Sequence, residues 1–324
     1  MTIQELYSKG REVLAEKKQD FMLRGVETEF NMEHNGRVLE HYLFLQKAIN
    51  RIGEVSTRTQ LLDTLLEVPI IMSSLNAPLP SITGDGLLKT ARGLKAAGSM
   101  MWLGSPIPKP DTLEALVETG VPLCQTIKPI EDREKLVSIL VQAAEIGVQW
   151  VGVEVDAGQC TKIHDKMMTT GCKPMSVEEL AEVKRTVRRP FVLKGILSPW
   201  DAERALEAGA DLIVVSNHGV HTLDYLPHPF EVIEEILSVV RGRAAVVVDS
   251  GFRRGTDVLK GLAMGADAVG IARPVIWALA ADGENGVRDL IEGLREELVR
   301  VMTMTGIEEP ARAHRGILYK SDLV

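Results

Sequence analysis

From Pro69 onward the chain repeats one alternation eight times: a short apolar run, then an amphipathic stretch of good helix formers. The apolar runs are PIIMSS (69–74), SMMWLG (99–104), VPLCQTI (121–127), QWVGVEVD (149–156), PFVLKGI (190–196), DLIVVSN (211–217), AAVVVDS (244–250) and AVGIARP (268–274). Runs so short and so uniformly apolar suit strands buried on both faces, and parallel neighbours need a crossover helix between them. The intervening stretches carry helix starts of known type, with Ser176 three residues before Glu179 and Ser198 directly before Pro199. Eight such units over about 250 residues predict an α/β chain folded as a (β/α)8 TIM barrel rather than a doubly wound sheet. The barrel is assigned to residues 69–306, closed by a last helix pair around Asp282–Gly286. Residues 1–68, with turn signals at Gly25 and His34-Asn35-Gly36, are expected to form a helical extension packed on the barrel, and 307–324 a charged tail.

Composition narrows the function classes. The 324 residues are 45% hydrophobic with a net charge of -8 and scattered Lys and Arg, so the basic footprint of a nucleic-acid binder is missing. No apolar segment of about 18 residues is present to span a membrane, and the polar first twenty residues lack a signal-peptide core. A cytoplasmic location is the expectation. The three cysteines, Cys124, Cys160 and Cys172, are odd in number and lack CxxC spacing, which fits packing or loop residues in a reducing compartment and no metal site.

In a (β/α)8 barrel the chemistry sits at the C-terminal ends of the strands. Those ends are polar here: Ser73-Ser74-Leu75-Asn76, Gly104, Gln125, Glu154 and Asp156, Lys194, and Ser216-Asn217-His218. The loops after strands seven and eight commonly hold a phosphate, and they read Asp249-Ser250-Gly251-Phe252-Arg253-Arg254 and Ala272-Arg273-Pro274. Small residues there allow close backbone approach, and guanidinium groups pair with phosphate oxygens. Lys194 ends an apolar strand and needs a negative partner, either a ligand that becomes anionic or an internal carboxylate such as Glu154 or Asp156.

From Phe191 onward, the segments SNHGVHTLDYLPHPFEVIEEI and VVVDSGFRRGTDVLKGLAMGADAVGIARP resemble the FMN-dependent α-hydroxy acid oxidase/dehydrogenase family, which includes glycolate oxidase and lactate oxidase. The likeness extends more weakly back to Pro69. It implies that Lys194 meets the flavin N1/O2 edge, and that Gln125, Ser216 and the Ser74-Leu75-Asn76 backbone contact the isoalloxazine ring, with Gly104 and Glu154 beside them. Asp249, Ser250, Gly251, Phe252, Arg253, Ala272 and Arg273 would hold the ribityl chain and phosphate. His218 matches the catalytic base, and Asp156 the carboxylate that orients it. A small-molecule substrate, a homo-oligomer (in this family a homotetramer), and oxygen or a separate carrier as electron acceptor are implied as well.

The chain departs from that family on the substrate side. The family's HG-x-RQLD carries an arginine that grips the substrate carboxylate, and His221 stands in its place. An imidazole lacks the planar fork and the permanent charge of a guanidinium. The family's Q-x-Y becomes Gln125-Thr126-Ile127, its paired tyrosines correspond to Phe21-Met22-Leu23-Arg24-Gly25, and Glu154 replaces a smaller hydroxyl residue. The expected substrate is therefore an atypical 2-hydroxy acid or related alcohol, met by His221, Ile127 and a replacement cation from Lys128, Arg24 or the 160–172 segment. Two other readings remain: an FMN-dependent isomerase, for which the NxxQE-like signature is missing, and a flavin-binding protein without turnover.

Overall fold

The eight apolar runs form strands for the reason the pattern implies: each is flanked by other strands at its edges and covered on both faces. A computed structural model describes residues 1–322, the side chains of Phe21 and Met22 excepted. Its barrel strands are β1 (Ile70–Met72), β2 (Met101–Leu103), β3 (Leu123–Ile127), β4 (Trp150–Glu154), β5 (Phe191–Ile196), β6 (Leu212–Val215), β7 (Ala245–Val248) and β8 (Ala268–Ile271). Among the described residues they make one eight-stranded sheet in the order β1-β8-β7-β6-β5-β4-β3-β2, parallel throughout. The seam between β1 and β2 is closed by a parallel bridge from Ile71 to Met100 and by the Met72 amide donating to the Met100 carbonyl at 3.0 Å. The chain is a (β/α)8 TIM barrel.

The helices that follow the strands are α1 (Gly86–Ala96), α2 (Pro110–Glu118), α3 (Arg133–Ile146), α4 (Val177–Val187), α5 (Pro199–Glu207), α6 (Pro229–Val240), α7 (Gly255–Ala263) and α8 (Arg273–Thr305). Ser176 and Glu179 cap α4 reciprocally, and the Ser198 hydroxyl accepts from the Asp201 amide at 3.0 Å ahead of Pro199. The helix α8 breaks at Asp282-Gly283, where Gly283 has φ 56°, so it behaves as the two helices expected from the sequence.

Residues before the barrel are more than helical. A helix at Ile3–Glu16 packs on α8 so closely that a Cβ at Gly10 would overlap the Trp277 carbonyl. A strand at Tyr42–Phe44 pairs antiparallel with Leu318–Lys320, so the tail is stitched to the extension rather than left as a charged end. A hairpin of Thr59–Leu61 and Thr64–Leu66 buries Leu61 and Leu66 against the barrel-interior side chains Ile71, Trp102, Trp150 and Val192. Trp150 opens β4, and its indole N–H donates to Asp63 in the hairpin turn at 2.8 Å, which places the hairpin across the N-terminal end of the barrel. With that end plugged, the opposite mouth is left for chemistry.

Candidate active site

A cavity of about 400 Å³ opens at the C-terminal ends of the strands. Most residues singled out in the sequence converge there: Ser74, Leu75 and Asn76 after β1, Gly104 after β2, Lys128 after β3, Glu154 from β4, Lys194 from β5, and His218 and His221 after β6. Asp249, Ser250, Gly251, Phe252 and Arg253 after β7, and Ala272 and Arg273 after β8, complete the wall.

Four expected residues stand behind that wall. Asp156 and Ser216 hold His218, through the contacts given below. Gln125 is fully buried, with its amide N–H₂ donating to the carbonyls of Thr126 (2.8 Å) and Leu103 (3.3 Å) while its Oε1 has no partner. Ile127 packs in the hydrophobic core with residues such as Leu123 and Val153, so the structure does not bring it to the cavity. Alternation along β3 accounts for this, since the neighbouring Thr126 faces inward to accept from Trp102 Nε1 at 2.9 Å.

His218 is the most constrained residue at the mouth. Its Nδ1 lies 2.9 Å from both carboxylate oxygens of Asp156, which fixes Nδ1 as the protonated nitrogen beside a carboxylate and leaves the Nε2 lone pair free. Nε2 is 3.7 Å from Glu154 Oε2. The backbone there is left-handed at three consecutive residues, His218 (φ 57°), Gly219 (φ 58°) and Val220 (φ 70°). Such a conformation is costly for a β-branched residue and persists only where its surroundings impose it. Here the Ser216 hydroxyl accepts from the His218 amide at 3.0 Å, and the Val220 carbonyl accepts from the Val26 amide at 2.9 Å. Asp156 in turn needs Gly195: at φ 99° that residue sits where a Cβ would overlap the Asp156 carboxyl.

Charge inside the mouth is closely partnered. Burial opposes the Lys194 ammonium, but Asp156, Asp249 and Glu154 around it raise its pKa above the ordinary lysine value. Asp249 is itself held by hydroxyl donors, Ser73 at 3.1 Å and Ser250 at 3.0 Å. Burial would raise Glu154, yet His218 when protonated, the charges of Lys128 and Lys194 and the Ser74 hydroxyl bring its carboxyl down to about 2. Thr126 also donates to Glu154, at 2.9 Å.

Arg253 and Arg273 face each other electrostatically. Burial first, and the Arg253 charge second, push Arg273 down to about 10, and its guanidinium donates to the Gly219 carbonyl at 2.7 Å. Among the described residues no carboxylate pairs with either guanidinium. Two half-buried guanidinium groups without a carboxylate partner concentrate positive charge at the ends of β7 and β8.

His221 is held neutral. Burial, then Arg273 and His218, push its imidazole down to about 3, and its Nε2–H donates to the Arg24 carbonyl at 2.8 Å. Arg24, expected as a candidate replacement cation, is half exposed and forms a forked pair with Glu29 at 2.6 to 3.1 Å. The side chains of Phe21 and Met22, where the resemblance places paired tyrosines, lie outside the described residues.

The loop after β4 corrects the reading of the cysteines. Cys160 and Cys172, expected to be free packing residues, form a disulfide with Cα atoms 5.4 Å apart, and Cys124 alone is free and buried. The bridge closes a small hairpin, Lys162–Ile163 against Lys166–Met167, whose folding back brings the two ends together. Thr161, Lys162, Ile163, Met168 and Thr169 from this loop line the cavity as a cover. It is clamped by the Lys162 amide to the His221 carbonyl (2.8 Å) and by the His164 amide to the Gly25 carbonyl (2.7 Å). A disulfide is commoner where thiols are kept oxidised, so the cysteines lend no support to a reducing compartment. Among the described residues no group of three His, Cys, Asp or Glu side chains is placed to hold a metal. Nor is any helix long and apolar enough to cross a membrane.

Sequence reasoning missed Ser105, Thr126 and His228. Ser105 lines the cavity and its hydroxyl accepts from the Lys128 amide at 3.1 Å; the Gly-Ser-Pro punctuation after β2 was the available signal. His228 is fully buried, caps α6, and touches the Ser250 carbonyl at 2.9 Å through Nε2, which steadies the β7 loop.

The profile of the FMN-dependent dehydrogenase family matches residues 10–169 and 157–320. Glycolate oxidase 3 of Arabidopsis thaliana is 28% identical, over 94% of this chain and 93% of its own length. The L-lactate oxidase of Lentilactobacillus hilgardii is 29% identical, over 94% and 90% respectively. Among solved structures, that of mandelate oxidase superposes with a TM-score of 0.87 at 30% identity, covering 98% of this chain and 97% of that one. A mandelate oxidase variant with a monooxide FMN adduct superposes at 0.86, also 30% identical, over 96% and 98%. With the family profile covering nearly the whole chain, this protein belongs to the FMN-dependent dehydrogenase family and is an oxidoreductase with FMN as its cofactor.

Proposed function

We propose that this enzyme oxidises a 2-hydroxy acid or a related α-hydroxy compound, with His218 as base, and that its substrate is atypical because His221 occupies the position of the carboxylate-binding arginine. The observation that carries the reading is the His218–Asp156 pair, 2.9 Å apart at the mouth of the cavity with Nε2 unblocked. Its surroundings also fit FMN on structural grounds. Arg253 and Arg273 carry positive charge without a carboxylate partner among the described residues, and Lys194 is a buried cation at the barrel mouth.

In this reading Lys194 would hold the ring edge. Ser74, Leu75, Asn76, Gly104, Glu154 and Ser216 lie about the ring, and Asp249 to Arg253 with Ala272-Arg273 hold the ribityl phosphate. FMN supplies the two-electron sink, as it does across flavin enzymes. His218 takes a proton from the substrate at Nε2 and becomes an imidazolium, and the Asp156 carboxylate at Nδ1 stabilises that charge. Lys162, Ile163 and Met168 exclude water from above. Oxygen would be the electron acceptor, as the oxidase relatives suggest.

Anaerobic addition of 2-hydroxy acids to the purified yellow protein tests the proposal, with loss of the visible flavin band as the expected result. His218→Ala should abolish that bleaching and keep its flavin. Lys194→Met and Arg253→Ala should purify with reduced flavin content. If no α-hydroxy compound bleaches the wild type, the reaction assignment fails; if both cation variants keep full flavin, the cofactor contacts are wrong.

A further inference from the structure

Losing the arginine clamp leaves open where a substrate carboxylate binds, and the cations around the cavity can be sorted by what already neutralises them. Lys194 is enclosed by Asp156, Asp249 and Glu154. Lys162 pairs with Glu27 at 3.1 Å, and Arg24 with Glu29. Arg273, which also donates to the Gly219 carbonyl, and Arg253 beside it are assigned above to the ribityl phosphate, and His221 is neutral with its Nε2–H committed to a carbonyl.

Lys128 is different. It follows β3 directly, lines the cavity, and is only 7% exposed. Its backbone is pinned on both sides, by its amide to the Ser105 hydroxyl at 3.1 Å and by its carbonyl, which accepts from the Ile130 amide at 2.7 Å. Among the described residues its ammonium has no hydrogen-bond or ion-pair partner. Glu154 feels its charge, but that carboxylate is beyond ion-pair distance and already accepts from Ser74 and Thr126. A buried ammonium without a counterion costs several kcal/mol, so the pocket is built for an anion at this point.

We propose that Lys128 is the anion receptor of the substrate pocket and a determinant of its specificity, pairing with the carboxylate of the 2-hydroxy acid. The inference rests on the function proposed above and adds the group that recognises the acid. Glu154 sets the orientation: a carboxylate 3.7 Å from His218 Nε2 repels a second one, so the substrate's carboxylate turns toward Lys128 and its hydroxyl end toward His218. An ammonium is a point charge with three rotatable donors, whereas a guanidinium is a rigid fork. The pocket therefore selects for negative charge more strongly than for the planar geometry of one carboxylate.

Oxalate, which has no oxidisable carbon–hydrogen bond, separates this proposal from turnover. It is titrated into the oxidised FMN-loaded enzyme, and binding is read from the shift of the visible flavin band. Wild type should bind, Lys128→Met should bind roughly 10- to 100-fold more weakly, as expected for a lost charge-assisted contact, and Lys128→Arg should stay within a few-fold of wild type. Flavin content and melting midpoint are measured for each variant, and Lys128→Gln replaces the Met variant if that one fails to fold. Equal oxalate affinity in wild type and variants, no oxalate binding by the wild type, or loss of flavin from Lys128→Met would overturn the assignment. Oxalate binding that depends on Lys128 in an enzyme that no 2-hydroxy acid bleaches would support it, while overturning the proposed reaction.

Discussion

Replacing Asp156 by asparagine removes one negative charge and keeps the shape of the side chain, which makes it a direct probe of the base. The imidazolium formed when His218 takes a proton sits 2.9 Å from both carboxylate oxygens. At an effective dielectric of about 20, unit charges at that separation interact by roughly 6 kcal/mol. Both side chains retain 12% exposure, and solvent screening at the cavity mouth trims the loss to roughly 3 kcal/mol. A charge-assisted hydrogen bond, worth about 1.5 to 3 kcal/mol, gives a similar figure. The flavin-reduction rate, followed by anaerobic stopped flow, should therefore fall about 10²-fold. Flavin content should be unchanged, because Lys194 keeps Asp249 and Glu154 as partners. A rate within fivefold of wild type would mean that no positive charge develops on His218, and the base assignment would be refuted.

Gly195→Ala should mimic that loss without touching a functional group, since its Cβ would overlap the Asp156 carboxyl at a φ of 99°; flavin reduction should fall as far as in Asp156→Asn, with a stability loss of at least about 1 kcal/mol in urea unfolding. Alkylation of the denatured, unreduced protein should label one thiol and three after reduction, and Cys160→Ser should lower stability by up to about 3 kcal/mol for the twelve-residue separation it opens. Stability should fall as pH drops below about 6.5, because burial holds His228 down to about 3 in the fold while the unfolded chain takes up the proton. That stability is fully present above 6.5 and lost toward 3, amounting to roughly 2 kcal/mol between pH 7 and 5; His228→Asn, which keeps a helix cap, should flatten the slope by nearly one proton.

The barrel was legible because each strand's burial is a local property: Val246, Val247 and Val248, or Ile213, Val214 and Val215, are apolar on both faces and declare it within four residues. Helix caps such as Ser176 and Ser198 are local too. The site followed from position, since strand ends in this architecture meet at one mouth. What escaped depends on contacts far apart in sequence. The 59–66 hairpin is too short to show a period and is defined by Leu61 and Leu66 meeting the barrel interior. The Tyr42–Phe44 strand has its partner some 275 residues away, at Leu318–Lys320. Cys160 and Cys172 pair only because the intervening loop folds back as a hairpin, and Ile127 leaves the pocket by the parity of β3.

In the proposed reading the substrate-side departures form one electrostatic arrangement rather than separate losses. A guanidinium at position 221 would stand near Arg273 and Lys128, the same charges that help keep His221 neutral, and it would break the bond to the Arg24 carbonyl that secures the loop carrying His218. A neutral His221 adds no further charge beside Lys128, whose ammonium has no ion-pair partner among the described residues. Glu154 belongs to the same arrangement. Burial opposes its charge, while His218, Lys128, Lys194 and the Ser74 hydroxyl favour it, and in the proposed reading it keeps a substrate carboxylate away from the base. Restoring the arginine alone would therefore add repulsion before it added a clamp. Lys128, Glu154 and His221 have to be judged together, because the charge on each sets the field the other two meet.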